Sequence, residues 1–267
     1  MVYAHGGGAV SGTAEMYKPL TACLAVETNT VVISVDYRLA PETKCPQNIM
    51  DFYLALKVRT SLWLVAKYLN IHFQFVKENY SNWKLDPERL VISGESGGGY
   101  ICFGAMVMLA QKKEANIVKA AFPIIPMISD YFFSDPAAMT IEERFNQESM
   151  KVMWKYIAKV GGCRPGIFSI ISVQDLEEDW TNPLLFPSKA SDSLLKEMPP
   201  TVIFSAEFDM FITETDRMAR RLRQNGRLLD LCTIPGIGHA SYANPALKCY
   251  STFYDSYKLA LQEYVHC

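Results

Sequence analysis

The sequence predicts an α/β fold: a mostly parallel, twisted sheet flanked by helices. Three observations carry this. Short apolar runs of strand length recur at Val2 to Ala4, Val31 to Val35, Leu90 to Ile92, Ala120 to Ile125, Val202 to Ala206 and Leu229 to Ile234. Helix-length segments separate them, and that alternation implies parallel strands joined by right-handed crossovers. The chain has 267 residues, 49% of them hydrophobic, which is enough to bury a large core within one domain.

The helices are expected near Ala14 to Thr28, Pro46 to Lys57, Gly97 to Lys113, Thr213 to Asn225 and Leu247 to Val265. The fourth stops at Asn225 and Gly226, a pair suited to a helix C-terminus. Ser129 to Met198 differs, being rich in charge and aromatics, with isolated prolines and no clear strand. Residues 1–128 and 199–267 therefore read as the α/β core and 129–198 as an insertion. A formal charge of −2 offers no basic surface for nucleic acid, and no apolar run is long enough to span a bilayer. Seven cysteines without C-x-x-C spacing argue against a metal site or a full disulfide framework and favour a reducing, cytoplasmic setting. Asn79, Tyr80, Ser81 forms a glycosylation sequon, a pattern common by chance.

The chemistry concentrates where strands end. Ser96 is the centre of Gly94, Glu95, Ser96, Gly97, Gly98, between a strand-like run and a helix-like one. Gly94 and Gly98 remove side chains where the arms of such a turn meet, so Ser96 can hold a strained angle with its hydroxyl exposed. Near the start, His5 is followed by Gly6, Gly7 and Gly8, whose N–H groups can converge on one point and stabilise an oxyanion. No Lys-Ser or Lys-Thr pair follows, which excludes a phosphate-binding loop of the P-loop type. A nucleophilic serine in this turn takes its acid and then its histidine from farther along the chain. Only His239 and His266 follow Ser96, and His266 is the penultimate residue. His239 closes Pro235, Gly236, Ile237, Gly238, His239, read as a loop at a strand's carboxyl end. The acid is open among Glu207 and Asp209, two positions apart on one strand end, and Glu214, which also suits a helix first turn.

Together these residues resemble the hormone-sensitive-lipase-like family of α/β-hydrolases, the branch with arylacetamide deacetylases and many small carboxylesterases. The resemblance rests on HGGG at His5 to Gly8, DYRLAPE at Asp36 to Glu42, GESGGG from Gly94, and the segment from Glu207 through Glu214 followed by His239. It covers nearly the whole chain. It implies an α/β-hydrolase fold with helices of a lid at 129–198 roofing an acyl pocket, and a triad of Ser96, Asp209 and His239. By the same resemblance the oxyanion donors are the N–H groups of Gly7, Gly8 and Gly97, and His5, Arg38 and Glu42 support the site structurally, Arg38 and Glu42 as an ion pair. The implied activity is serine-dependent hydrolysis of small carboxylic esters, with amides as a second class, without metal or cofactor. Ala9 and Ala240 depart from the family, which has an aromatic residue and a glycine there, and both changes bear on pocket shape.

Two features set the chain apart from that pattern. HGGG follows only four residues, where the family carries several dozen, so N-terminal strands are expected to be missing and 31–37 to lie at an apolar sheet edge that lowers solubility. Val58 to Gln74 interrupts an otherwise smooth family match, and its ends are compatible with intron boundary codons, so it reads as a translated intron or as a natural helix extension. The competing functional readings are a non-catalytic binding protein on the same fold and an inactive fragment; oligomeric state is left open.

Overall fold

The computed structural model describes residues 1–40, 42–43, 45–57, 86–128, 181–243 and 249–266. Its six strands are β1 (Val2–Ala4), β2 (Ile33–Val35), β3 (Val91–Glu95), β4 (Ala120–Ile124), β5 (Thr201–Phe208) and β6 (Leu228–Gly238). They form one sheet in the order β2-β1-β3-β4-β5-β6, and every neighbouring pair is parallel. Among the described residues β2 has β1 as its one partner, and Val31 beside it is 37% exposed.

Six α-helices lie among the described residues: α1 (Lys18–Thr28), α2 (Gln47–Lys57), α3 (Gly97–Gln111), α4 (Asp192–Leu195), α5 (Ile212–Gln224) and α6 (Cys249–Tyr264). The alternation of side chains along a strand divides them between two faces. Val202, Phe204 and Ala206 of β5 pack with Leu24 of α1 and Phe253 and Tyr257 of α6. Ile203 between them packs with Phe52 of α2, Phe103 of α3 and Leu222 of α5. The Phe204 and Tyr257 rings stack at 4.7 Å between centroids, and burying each such ring stabilises the fold by about 2 kcal/mol.

α3 is the central helix, with every residue from Gly97 to Ala110 buried. Its Gly104 lets α2 approach closely, since a Cβ there would lie 2.4 Å from Ile49 Cδ1. α5 ends at Gln224, and Gly226 beyond it adopts φ 69°, the left-handed turn expected of that glycine.

One boundary differs. Pro235 to Gly238, expected as a loop, continue β6, because a register shift after Ala206 lets the ladder resume with Phe208 opposite Gly238. A proline is tolerated there because, among the described residues, β6 pairs on one side only, with β5. The expected lid at 129–198 is described only from 181, where Phe186, Leu195 and Met198 are buried in the core that includes α3. Residues 129–180, the insertion at 58–74 and the sequon at Asn79 lie outside the described residues.

Candidate active site

Four strand ends converge at the carboxyl edge of the sheet, where an open parallel sheet places its chemistry. β1 runs into His5 to Gly8, β3 into Ser96, β5 into Asp209 and β6 into His239. Ser96 has φ 52° and ψ −115°, a region that costs about 1–3 kcal/mol for a non-glycine residue. The turn permitting it is as tight as the sequence implies. A Cβ on Gly94 would lie 2.4 Å from Gly98 O, and one on Gly98 would lie 2.1 Å from Ala4 O. Backbone hydrogen bonds lock the turn, with Ser96 N–H donating to Ile124 O at 3.0 Å and Met127 N–H to Ser96 O at 3.2 Å.

Ser96, His239 and Asp209 form one hydrogen-bonded row. His239 Nε2 lies 2.9 Å from Ser96 Oγ, and His239 Nδ1 lies 2.9 Å from Asp209 Oδ2. An ionised carboxylate only accepts, so the imidazole proton is assigned to Nδ1, and Nε2 is left to accept from the serine hydroxyl. Asp209 is 1% exposed, and its second oxygen, Oδ1, accepts from Phe211 N–H at 2.8 Å. The Phe211 ring meets His239 edge-on, 5.2 Å between centroids.

The other two candidate acids point elsewhere. Glu207 is exposed and accepts from Gly236 N–H at 2.7 Å, which ties β5 to β6. Glu214 is buried and accepts from Ile128 N–H at 3.0 Å, so it holds the chain after β4 to α5 rather than capping its own helix.

The glycine loop adopts three successive left-handed residues, Gly7 at φ 107°, Gly8 at 64° and Ala9 at 60°. Such a run turns N–H groups toward a common point. It lies directly on the elbow, since a Cβ on Gly97 would be 2.5 Å from Gly8 N and 2.6 Å from Ala9 N. The Ala9 amide is therefore as near to Gly97 as the Gly8 amide, whereas the sequence points to Ala9 for pocket shape and not for its N–H.

The segment 36–40 holds that loop in place. His5 Nδ1 lies 2.8 Å from Gly6 O, and its ring stacks on Tyr37 at 4.4 Å. Tyr37 Oη donates to His5 O at 2.7 Å, Ala40 N–H to Ala9 O at 2.9 Å, and Asp36 Oδ1 accepts from Ala14 N–H. Burial pushes the His5 pKa down, so the ring acts as a neutral strut.

The expected ion pair of Arg38 with Glu42 is corrected. Arg38 grips Asp51 of α2 through both side-chain edges, Nε to Oδ2 at 2.8 Å and Nη2 to Oδ1 at 2.7 Å, while Glu42 is exposed. The fork of the guanidinium matches a carboxylate on a facing helix, and that geometry selects the buried Asp51 over a neighbour four residues away.

Sequence reasoning also missed Phe211, Asp51, Glu95, Tyr17 and Tyr242. For Glu95 a signal existed, a charged residue ending a buried strand beside the nucleophile; the tyrosines carried none. Among the described residues no helix is long and apolar enough to cross a membrane.

Comparison with known proteins agrees with this architecture. The arylesterase of Saccharolobus solfataricus is 26% identical over 255 residues, 92% of this chain and 69% of that protein. The arylacetamide deacetylase of Bos taurus is 30% identical over 140 residues, 51% of this chain and 31% of that protein. A solved structure of brefeldin A esterase, described as a bacterial homologue of human hormone-sensitive lipase, superposes with a TM-score of 0.74 at 22% identity, covering 99% of this chain and 68% of that one. The sequence model of the alpha/beta hydrolase fold matches residues 1–243, nearly the whole chain, and the protein therefore belongs to that family.

Proposed function

We propose that the protein hydrolyses small carboxylic esters through an acyl-enzyme on Ser96. The observation that carries this reading is the row Asp209, His239, Ser96 with both hydrogen bonds at 2.9 Å. Ser96 Oγ attacks the acyl carbon while His239 Nε2 takes its proton, and the carbonyl oxygen becomes an oxyanion. The N–H groups of Gly7, Gly8 and Gly97 receive that charge, each worth about 3–4 kcal/mol of barrier. Collapse breaks the ester bond, and the departing alkoxide takes the proton from Nε2 and leaves as alcohol. Water then attacks the acyl group, again giving its proton to Nε2, and Ser96 recovers that proton as the acid departs. Asp209 stays ionised throughout and stabilises the imidazolium at each crossing.

Esterase relatives and an esterase-like fold support the substrate class. The odd cysteine count, without C-x-x-C spacing, supports a reducing cytoplasmic setting. The test is turnover of p-nitrophenyl acetate by the purified chain and its Ser96→Ala variant. The variant is expected to lose at least about 1,000-fold in kcat. Equal rates in a folded Ser96→Ala protein contradict the proposal, and a folded wild type that binds the ester without cleaving it identifies a binding protein instead.

A further inference from the structure

Beside the nucleophile sits a carboxyl group that none of the ester-cleaving steps uses. Glu95 is the last residue of β3 and is 3% exposed. A carboxylate in that position is costly unless donors replace the water it has lost. Two tyrosines supply them. Tyr242 Oη donates to Glu95 Oε2, and the Tyr17 hydroxyl hydrogen-bonds to the same carboxyl.

The two tyrosines come from the two loops that must be held against the serine. Tyr17 immediately precedes α1, on the stretch that follows the glycine loop. Tyr242 lies three residues after His239, in the short 3-10 turn Ser241–Ala243. Each is anchored on its own side: the Tyr17 ring lies 5.6 Å from the His5 ring, and the buried Tyr242 ring lies 4.3 Å from Phe253. The glycine loop also rests on the carboxyl itself, because a Cβ on Gly6 would lie 2.6 Å from Tyr17 Oη and 2.9 Å from Glu95 Oε1. One side chain thus touches the loop of the oxyanion donors, the loop of the base and, through its own backbone, Ser96.

We propose that Glu95 is a positioning residue, a clamp that uses Tyr17 and Tyr242 to hold the glycine loop and the His239 loop in register with the nucleophile elbow. Its catalytic consequence rests on the esterase reading. A residue that only filled this space would need no charge; an apolar side chain would do so without losing hydration. The groups facing the carboxyl are Tyr3, Tyr17, Tyr37, Tyr242 and Tyr254, with His239 as its cationic neighbour when protonated. Burial pushes the tyrosines at 3, 17, 37 and 254 upward, so their hydroxyls remain neutral. The same burial raises Glu95 to about 7. Above that pH the carboxylate accepts from both tyrosines; below it the added proton turns one oxygen into a donor, and the hydrogen bond there reverses so that the tyrosine oxygen accepts, which rotates its hydroxyl.

The experiment compares wild type, Glu95→Gln, Tyr242→Phe and the double variant between pH 6 and 9, following tyrosine near-UV circular dichroism together with kcat and KM for p-nitrophenyl acetate. Wild type is expected to show a tyrosine transition near pH 7 that Glu95→Gln lacks. In Glu95→Gln kcat is expected to fall roughly 10- to 100-fold with KM within about twofold, as for small displacements of catalytic groups. Tyr242→Phe is expected to lose about tenfold alone and little more in the Glu95→Gln background, the non-additivity of a shared network. A folded Glu95→Gln protein with wild-type kcat throughout, or a wild type without the tyrosine transition, overturns the clamp. If Glu95→Gln does not fold, Tyr242→Phe decides, and an unchanged kcat overturns the clamp. A wild type that shows the tyrosine transition yet cleaves no ester refutes the esterase reading while supporting the clamp.

Discussion

Asp209→Asn isolates the role of the carboxylate with no change of shape. Asp209 uses its oxygens for different tasks, Oδ1 accepting from Phe211 N–H at 2.8 Å and Oδ2 facing His239 Nδ1 at 2.9 Å. An asparagine has one acceptor oxygen, and the backbone N–H of Phe211 can only donate, so that oxygen is fixed at the Oδ1 position. The amide NH2 is then forced to face Nδ1. Imidazole must respond by presenting its Nδ1 lone pair, which moves the ring proton to Nε2, against Ser96 Oγ. The base then cannot take the serine proton, and the carboxylate that stabilised the imidazolium is gone. For the same substitution in a serine-protease triad the loss is about 10,000-fold in kcat, or about 5.5 kcal/mol of barrier. The assay is p-nitrophenyl acetate hydrolysis under saturation, with thermal unfolding to establish that the variant folds. A folded Asp209→Asn enzyme retaining a tenth of wild-type kcat refutes this assignment of tautomer and acid.

Two further outcomes follow from close packing and from the buried carboxyl. Gly98→Ala places a Cβ 2.1 Å from Ala4 O and 2.5 Å from His5 O, both backbone atoms, whereas Gly104→Ala meets the movable tip of Ile49 at 2.4 Å. Urea unfolding should show Gly98→Ala destabilised by at least about 3 kcal/mol and inactive, and Gly104→Ala by about 1 kcal/mol with its activity retained; equal effects contradict the tight elbow. Raising Glu95 from 4.5 to about 7 means that the folded protein binds this proton more tightly than the unfolded chain, so the Glu95 contribution to stability is full below pH 4.5 and lost as pH rises through 7. Relative to Glu95→Gln, wild type should lose about 3 kcal/mol of unfolding free energy between pH 4.5 and 8, and an unchanged difference between the two proteins across that range contradicts the buried carboxyl.

Much of the fold was legible because its signals are local. Each of the six apolar runs overlaps a strand, and α3 begins at Gly97 as the turn glycines require. Ser96 and His239 were legible from the order of the motifs, whereas Asp209 was singled out only by the family resemblance, since Glu207 and Glu214 stood equally open on the residues alone. Three features were hidden because tertiary contacts decide them. Arg38 found Asp51 because α2 packs alongside the 36–40 segment, a neighbour invisible in the motif itself. β6 outran its apolar run because the ladder resumes after a register shift, although Pro235 to His239 read as a loop. Glu214, which suits a helix cap by position, instead bonds Ile128 N–H, because α5 packs against the chain leaving β4. The partners of Glu95 were hidden for the same reason: Tyr17 and Tyr242 lie far apart in sequence and meet only at the strand end.

The central claim is that the Ser96 hydroxyl is made nucleophilic by His239. Labelling the folded chain with a fluorophosphonate, followed by peptide mass mapping, measures that directly. The account predicts one adduct per chain, on Ser96, and none in a folded His239→Ala variant. A folded wild type that stays unlabelled, or carries the adduct on another residue, contradicts it.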